Sequence, residues 1–319
     1  HGRWYSYNYT LRKYCESLDL ESFDLIIEDI CKVPVYSPGW SSTPVLAIVP
    51  HLFGTTAFRE VSFLKALYVN FLEAFIPSVY RNCPFVAISE STGKDLVRRG
   101  IDPSLISVIP CGIDTDFYRH DPSADVEDLR LLFVGRLKKY KGVQHLLRAV
   151  KILHGRNLPV KLTVIGEGDY AIKLKLEVGK LNLQDSVDFL GFVPQKEKLH
   201  WLQRASVAVF PSAKEGWGLT VIEANCCGTP VVASNSDGLR DSVKNGETGI
   251  LTEHRNPAAL ADALEIILKS PEERMRLSRN AREWGRGFNW DKTGERMLEV
   301  IEQAAGGNDA GSHKKKKKH

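Results

Sequence analysis

The stretch KEGWGLTVIEANCCGTP, Lys214 to Pro230, sets Glu215 ahead of a Gly-Trp-Gly turn and Glu223 eight positions later inside an apolar run. A carboxylate accepts hydrogen bonds through two oxygens and suits the vicinal hydroxyls of a ribose or hexose. Gly216 and Gly218 let the backbone approach a ligand, and a helix opening near Leu219 turns the amides of Leu219 and Thr220 toward an anion. Helical spacing places Glu223 about one turn inside, on the face shared with Leu219 and Thr220. A second stretch, LLFVGRLKKYKGVQHLL, ends a strand at Gly135 and puts Arg136 and Lys141 before a helix that begins near Gly142. A planar guanidinium fork and a point charge at a helix N-terminus make a phosphate site. Two acids for diols, amides for an anion and two cations to balance it suit a nucleotide diphosphate sugar. From the residues alone, solvated loop lysines, a surface loop acid at Glu215 and an exposed helix acid at Glu223 stay open.

Other motifs say less. In LTVIGEGDYA, Gly166, Gly168 and Ala171 satisfy GxGxxA after a strand. A dinucleotide site asks for an acid at the end of the next strand; Asp188 sits inside SVDFLG and the strand end is Gly191. A tight turn for helix packing fits better, and a dehydrogenase is the weakest functional reading. No GxxxxGK[ST] loop is present. His51, in PVLAIVPHLFG, follows a strand directly; a lone histidine there is more often structural, but the position would let it face an interdomain cleft.

These residues need strands to carry them. From Phe23 onward ten short apolar runs alternate with amphipathic stretches: FDLIIED, PVLAIVPH, FVAIS, SVIPCGID, LRLLFVG, VKLTVIG, SVDFLG, VAVFPS, PVVAS and TGIL. Val143, Leu146, Leu147, Val150 and Leu153 recur at helical spacing. Strands alternating with helices predict an α/β fold with parallel sheets covered on both faces, and ten strands divide better between two Rossmann-like domains than within one sheet. The polar seam from Asp114 to Leu129 separates four strands from six. The expected organisation is a partial N-terminal domain over 1–115, a second domain over 116–288, a crossover helix over 289–305 and a tail or tag over 306–319. Prolines open the helices in NPAALADALEIIL and SPEERMRLSRNAREWG.

With 319 residues, 43% apolar and 26% charged, the chain can bury two cores. No apolar run approaches the roughly 18 residues of a membrane span. The six cysteines form no CxxC and no metal-ligand spacing, so a reducing, cytoplasmic setting without zinc is expected. The formal charge of +4 owes much to Lys314 to Lys318; the lysine run reads as a tag or solvated tail, and no nucleic-acid partner is expected. HGRWYSYNY resembles neither a signal peptide nor an ordinary strand-helix start.

Taken together, FVAISESTGKDL with VIPCGID, then FVGRLKKYKG, VIGEGD, FLGFV, FPSAKEGWGLTVIEANCCGTPVVAS and DGLRDSV resemble, in order, the retaining family-4 glycosyltransferases, the glycosyl transferases group 1. The resemblance runs from about Phe23 to Gln303. It implies the GT-B fold, two Rossmann-like domains facing across a cleft, with the first incomplete at its N-terminus. By position, Glu215 matches the acid beside the donor sugar and Glu223 the one that binds the ribose. Arg136 and Lys141 match the diphosphate-holding cations, and His51 a first-domain histidine that approaches the sugar. The segment Gly191 to Val193 matches a nucleobase-contacting strand end. The implied donor-binding set is Gly135, Gly166, Val193, Gly216, Trp217, Gly218, Leu219, Thr220 and Glu223. The implied reaction is retaining, front-face transfer of a hexose-type sugar from a UDP- or GDP-sugar to a glycan, lipid or small-molecule acceptor, with possible peripheral contact at the inner membrane face. It needs no cofactor or metal: the only DxD-like stretch, Asp114 to Asp116, lies in the interdomain segment. A non-catalytic nucleotide-sugar binding module and a sugar-nucleotide epimerase of the same fold are the alternatives.

Overall fold

The computed structural model describes residues 7–15, 17–31, 33–60 and 62–306; the lysine-rich end and the first residues of HGRWYSYNY lie outside them. The chain forms two compact units, one from the residues up to Pro110 together with those from Asp291 onward, the other from Cys111 to Trp290.

Each apolar run becomes a strand. In the first unit β1 (Ile26–Asp29), β2 (Val45–Val49), β3 (Phe85–Ala87) and β4 (Ile106–Val108) form a parallel sheet in the order β1-β2-β3-β4. In the second, β5 (Glu127–Val134), β6 (Lys161–Ile165), β7 (Val187–Gly191), β8 (Ala205–Phe210), β9 (Val231–Ser234) and β10 (Gly249–Thr252) form a parallel sheet in the order β10-β9-β8-β5-β6-β7. Its order reverses between β5 and β8, which makes that crevice the ligand position of a doubly wound sheet. β8 and β9 are buried along their whole length, which explains their unbroken apolar sequence.

The helix Val143–Gly155 buries Val143, Leu146, Leu147, Val150 and Leu153 completely in the second unit's core. Five such side chains contribute about 10 kcal/mol of transfer free energy, before the entropy of ordering them is subtracted. The last helix, Trp290–Gly306, packs Met297, Val300, Ile301 and Ala304 against Leu46, Val86 and Ile109 of the first unit. Thr293 Oγ1 donates to the Pro110 carbonyl at 3.0 Å and Arg296 to that of Val108 at 2.7 Å.

One buried carboxylate organises the first unit. Glu28 on β1 is 6% exposed. Its Oε1 accepts from the Val35 amide at 2.6 Å and the Tyr80 hydroxyl at 2.5 Å, and its Oε2 from the Ser37 amide at 3.2 Å and hydroxyl at 2.5 Å. Burial, then the nearby Glu28 charge, pushes the Cys83 thiol up to about 11. Because a carboxamide offers one acceptor oxygen and turns an NH2 toward these donors, Glu28→Gln is expected to lower the stability of this unit by about 2 kcal/mol. Urea denaturation followed by hydrogen exchange in β1 and β2 measures it; an unchanged exchange free energy would refute the assignment.

None of the six cysteines forms a disulfide. Among the described residues no helix is long and apolar enough to cross a membrane, and no cluster of His, Cys, Asp and Glu could hold a metal ion.

Candidate functional site

The carboxyl ends of β5 and β8 meet through backbone. After β5, Arg136 enters a loop that closes in a short 3-10 turn, Lys139–Lys141, and Gly142 at φ +76° starts the helix Val143–Gly155. A Cβ at Gly142 would lie 2.0 Å from the Pro211 carbonyl oxygen, and the Ala213 amide donates to the Tyr140 carbonyl at 2.8 Å. The β5 loop is therefore seated directly on the chain leaving β8. That contact delivers Lys141 to Glu215: the ammonium bonds both carboxylate oxygens, at 2.6 and 2.7 Å, with the side chains 13% and 18% exposed.

Glu215 is held from the other side as well. Its amide donates to the Asp237 carbonyl at 3.0 Å. Gly238, at φ +79°, leaves a space that a Cβ would fill within 2.3 Å of the Glu215 carbonyl oxygen, and Ser236 Oγ donates to the Ser212 carbonyl at 2.9 Å. Gly218 takes φ +89° and opens the helix Leu219–Cys226 without a side-chain cap. The Leu219 and Thr220 amides, first in that helix, have no intrahelical acceptor. Gly216 does not take a left-handed conformation; the close approach that forbids a side chain falls at Gly238.

Glu223 is not an exposed helix acid. Its side chain is 13% exposed and both its oxygens lie 3.0 Å from Lys198 Nζ on the helix Gln195–Arg204. That ammonium stands 4.9 Å from the Tyr118 ring centroid, and the buried Tyr118 hydroxyl donates to Gln195 Oε1 at 2.6 Å. Burial raises the Glu223 carboxyl, opposed by the Lys198 charge and the neighbouring Tyr118; burial and then the Glu223 charge raise Tyr118. In both acid-lysine pairs the carboxylate keeps lone pairs for hydroxyl donors, since one ammonium cannot occupy its four acceptor positions.

Arg136 is exposed; its guanidinium donates to the Tyr140 hydroxyl at 3.3 Å and makes no ion pair among the described residues. The two glycines of GxGxxA are packing positions: a Cβ at Gly166 would come within 2.0 Å of the Gly135 carbonyl oxygen, and one at Gly168 within 2.2 Å of that of Leu137. Two of the expected donor-binding residues have buried side chains. Trp217 is 4% exposed, its ring 5.1 Å from that of Phe288, so its indole packs in the core. Val193 is likewise buried at 8%, whereas its neighbour Phe192 is 79% exposed beyond the end of β7.

In the first unit His51 follows β2, its ring 4.9 Å from Phe53. The loop after it is fixed by Glu73, 1% exposed, which accepts from the Phe53 amide at 2.6 Å and the Gly54 amide at 2.9 Å and pairs with Arg99 at 3.2 Å. Sequence reasoning missed Glu73, Tyr118, Lys198 and Gly238. A carboxylate within the apolar FLEAF was the one usable signal.

Residues 114–284 match the family described as glycosyl transferases group 1. The chain is 33% identical over 232 residues to the D-inositol 3-phosphate glycosyltransferase of Pseudarthrobacter chlorophenolicus, covering 69% of this chain and 55% of that one. It is 34% identical over 224 residues to the enzyme of the same name from Frankia alni, covering 64% and 54%. The chain thus spans about half the length of these relatives. Among solved structures, sucrose-phosphate synthase from Thermosynechococcus elongatus superposes with a TM-score of 0.78 at 25% identity over 95% of this chain and 80% of that one. Anabaena Alr3699/HepE in complex with UDP superposes with a TM-score of 0.77 at 19% identity over 92% and 82%. The fold is GT-B.

Proposed function

Since the chain belongs to the glycosyl transferases group 1 family, we propose that it moves a hexose-type sugar, with retention, from a UDP- or GDP-sugar to a glycan, lipid or small-molecule acceptor. The observation that carries this reading is the Lys141-Glu215 pair at the β5-β8 crevice, with Arg136, which makes no ion pair among the described residues, on the same strand end. The similar Anabaena protein was solved with UDP and glucose and with UDP-glucose, and the inositol phosphate enzymes are glycosyltransferases by name.

The chemistry follows from charge. Breaking a glycosidic bond to a diphosphate leaves negative charge on the leaving group, and preorganised donors aimed at that charge lower the barrier. Arg136, Lys141 and the Leu219 and Thr220 amides supply them. Glu215 fixes the Lys141 ammonium and keeps lone pairs for sugar hydroxyls, and Glu223, neutralised by Lys198, does the same for the ribose diol. The leaving diphosphate takes the acceptor proton, so the chain needs no metal of its own. His51 is the catalytic candidate of the first unit. A cytoplasmic protein, touching the inner membrane face only peripherally, fits six cysteines that form no disulfide.

The test is calorimetry of the chain with UDP- and GDP-sugars, together with nucleotide release with and without acceptor. Saturable binding and acceptor-dependent release are expected. Failure to bind any nucleotide sugar overturns the proposal; binding without release would assign a binding module, and products from donor alone an epimerase.

A further inference from the structure

The second unit has a cavity at the end of its sheet opposite the site above. It encloses about 340 Å³ where β8 and β9 begin, with Ser206, Thr229 and Pro230 on its floor. The helix Pro271–Gly285 forms its wall and brings Arg274, Ser278 and Arg282, at i, i+4 and i+8, onto one face, with Arg279 beside them. Arg274 pairs with Asp128 at 3.2 Å, but that carboxylate is 82% exposed, where such a pair contributes little. Arg279 and Arg282 make no ion pair among the described residues, and no carboxylate lines the cavity.

The side chains converge. A Cβ at Gly228, which takes φ +80°, would lie 3.1 Å from Arg282 Cδ, 3.1 Å from His120 Nδ1 and 3.2 Å from Ser278 Oγ. Guanidinium forks bind phosphate oxygens in pairs, and a phosphate, with more oxygens than a carboxylate, can engage more than one fork. The volume is at the low end of the roughly 300–1,000 Å³ of ligand pockets.

We propose that this cavity binds a small, freely diffusing phosphate-bearing solute, at a site separate from the diphosphate cradle of Arg136 and Lys141. The probes are inorganic pyrophosphate, a hexose phosphate, and phosphatidylcholine vesicles containing phosphatidic acid, read by hydrogen exchange of residues 227–230 and 274–286. In an Arg136→Ala/Lys141→Ala background, pyrophosphate or the hexose phosphate is expected to protect these segments saturably. Adding Arg279→Gln and Arg282→Gln should weaken that protection at least tenfold without shifting the melting temperature of the unliganded protein. Protection by vesicles but by neither solute, protection by none, or undiminished protection in the arginine variant would each overturn the proposal. Because the readout is local to this cavity, failure of nucleotide-sugar binding at the other site leaves it unaffected.

Discussion

Lys141→Ala is expected to lower turnover on a nucleotide sugar by about 100-fold, a loss of the size that about 2.8 kcal/mol produces. The ammonium makes two charge-assisted bonds to Glu215, and both partners are largely shielded from water. Truncation removes a cation from the position proposed for the diphosphate and also leaves an uncompensated carboxylate there, which repels the same anion. The second effect makes the two residues non-additive. In a double-mutant cycle, Glu215→Gln in the Lys141→Ala background should recover part of the lost donor affinity, because the repulsion goes with the charge. Calorimetric donor binding and nucleotide release read the cycle. Wild-type turnover in Lys141→Ala, or strict additivity of the two changes, would remove Lys141 from the site.

Gly142→Ala is expected to cost the second unit about 4 kcal/mol, although it adds only one methyl group and changes no charge. Two causes combine. An alanine at φ +76° is strained by roughly 1 kcal/mol or more, and its Cβ would sit 2.0 Å from the Pro211 carbonyl oxygen. A backbone oxygen cannot rotate away as a side chain can, so the β5 loop must lift from the β8 loop or the helix must shift, and overpacking of a fixed wall costs typically 1–3 kcal/mol. Since that seat also brings Lys141 to Glu215, donor binding should fall along with stability. Thermal denaturation with calorimetry checks both; a melting temperature within a degree of wild type would show that the contact relaxes freely.

The ten strands and the long helices were legible because each apolar run is short, bounded by glycine, proline or polar residues, and separated from the next by a 3.6-residue period. Burial of Val143, Leu146, Leu147, Val150 and Leu153 is what such a period means physically. The Glu215 and Lys141 loops were legible as candidates for the same reason: both follow strands, and ligands sit at strand ends in such sheets.

What no spacing could reveal is which side chains meet. Lys198 reaches Glu223 from a polar helix that looks like any solvated one, and Tyr118 lies in a stretch that reads as a seam. Trp217 stands between two glycines in a loop that suggests exposure, yet it is buried against Phe288. Gly238, twenty-three positions from Glu215, fixes that residue's backbone. Period and punctuation are local properties of a chain, so the sequence by itself determined the α/β order of the strands and the strand ends from which ligand-binding groups can emerge. Ion pairs form between residues 25 to 74 positions apart, as with Lys198 and Glu223 or Lys141 and Glu215. Only the tertiary structure, by stacking β8 between β5 and β9, decided that Glu215 holds Lys141 and Glu223 holds Lys198.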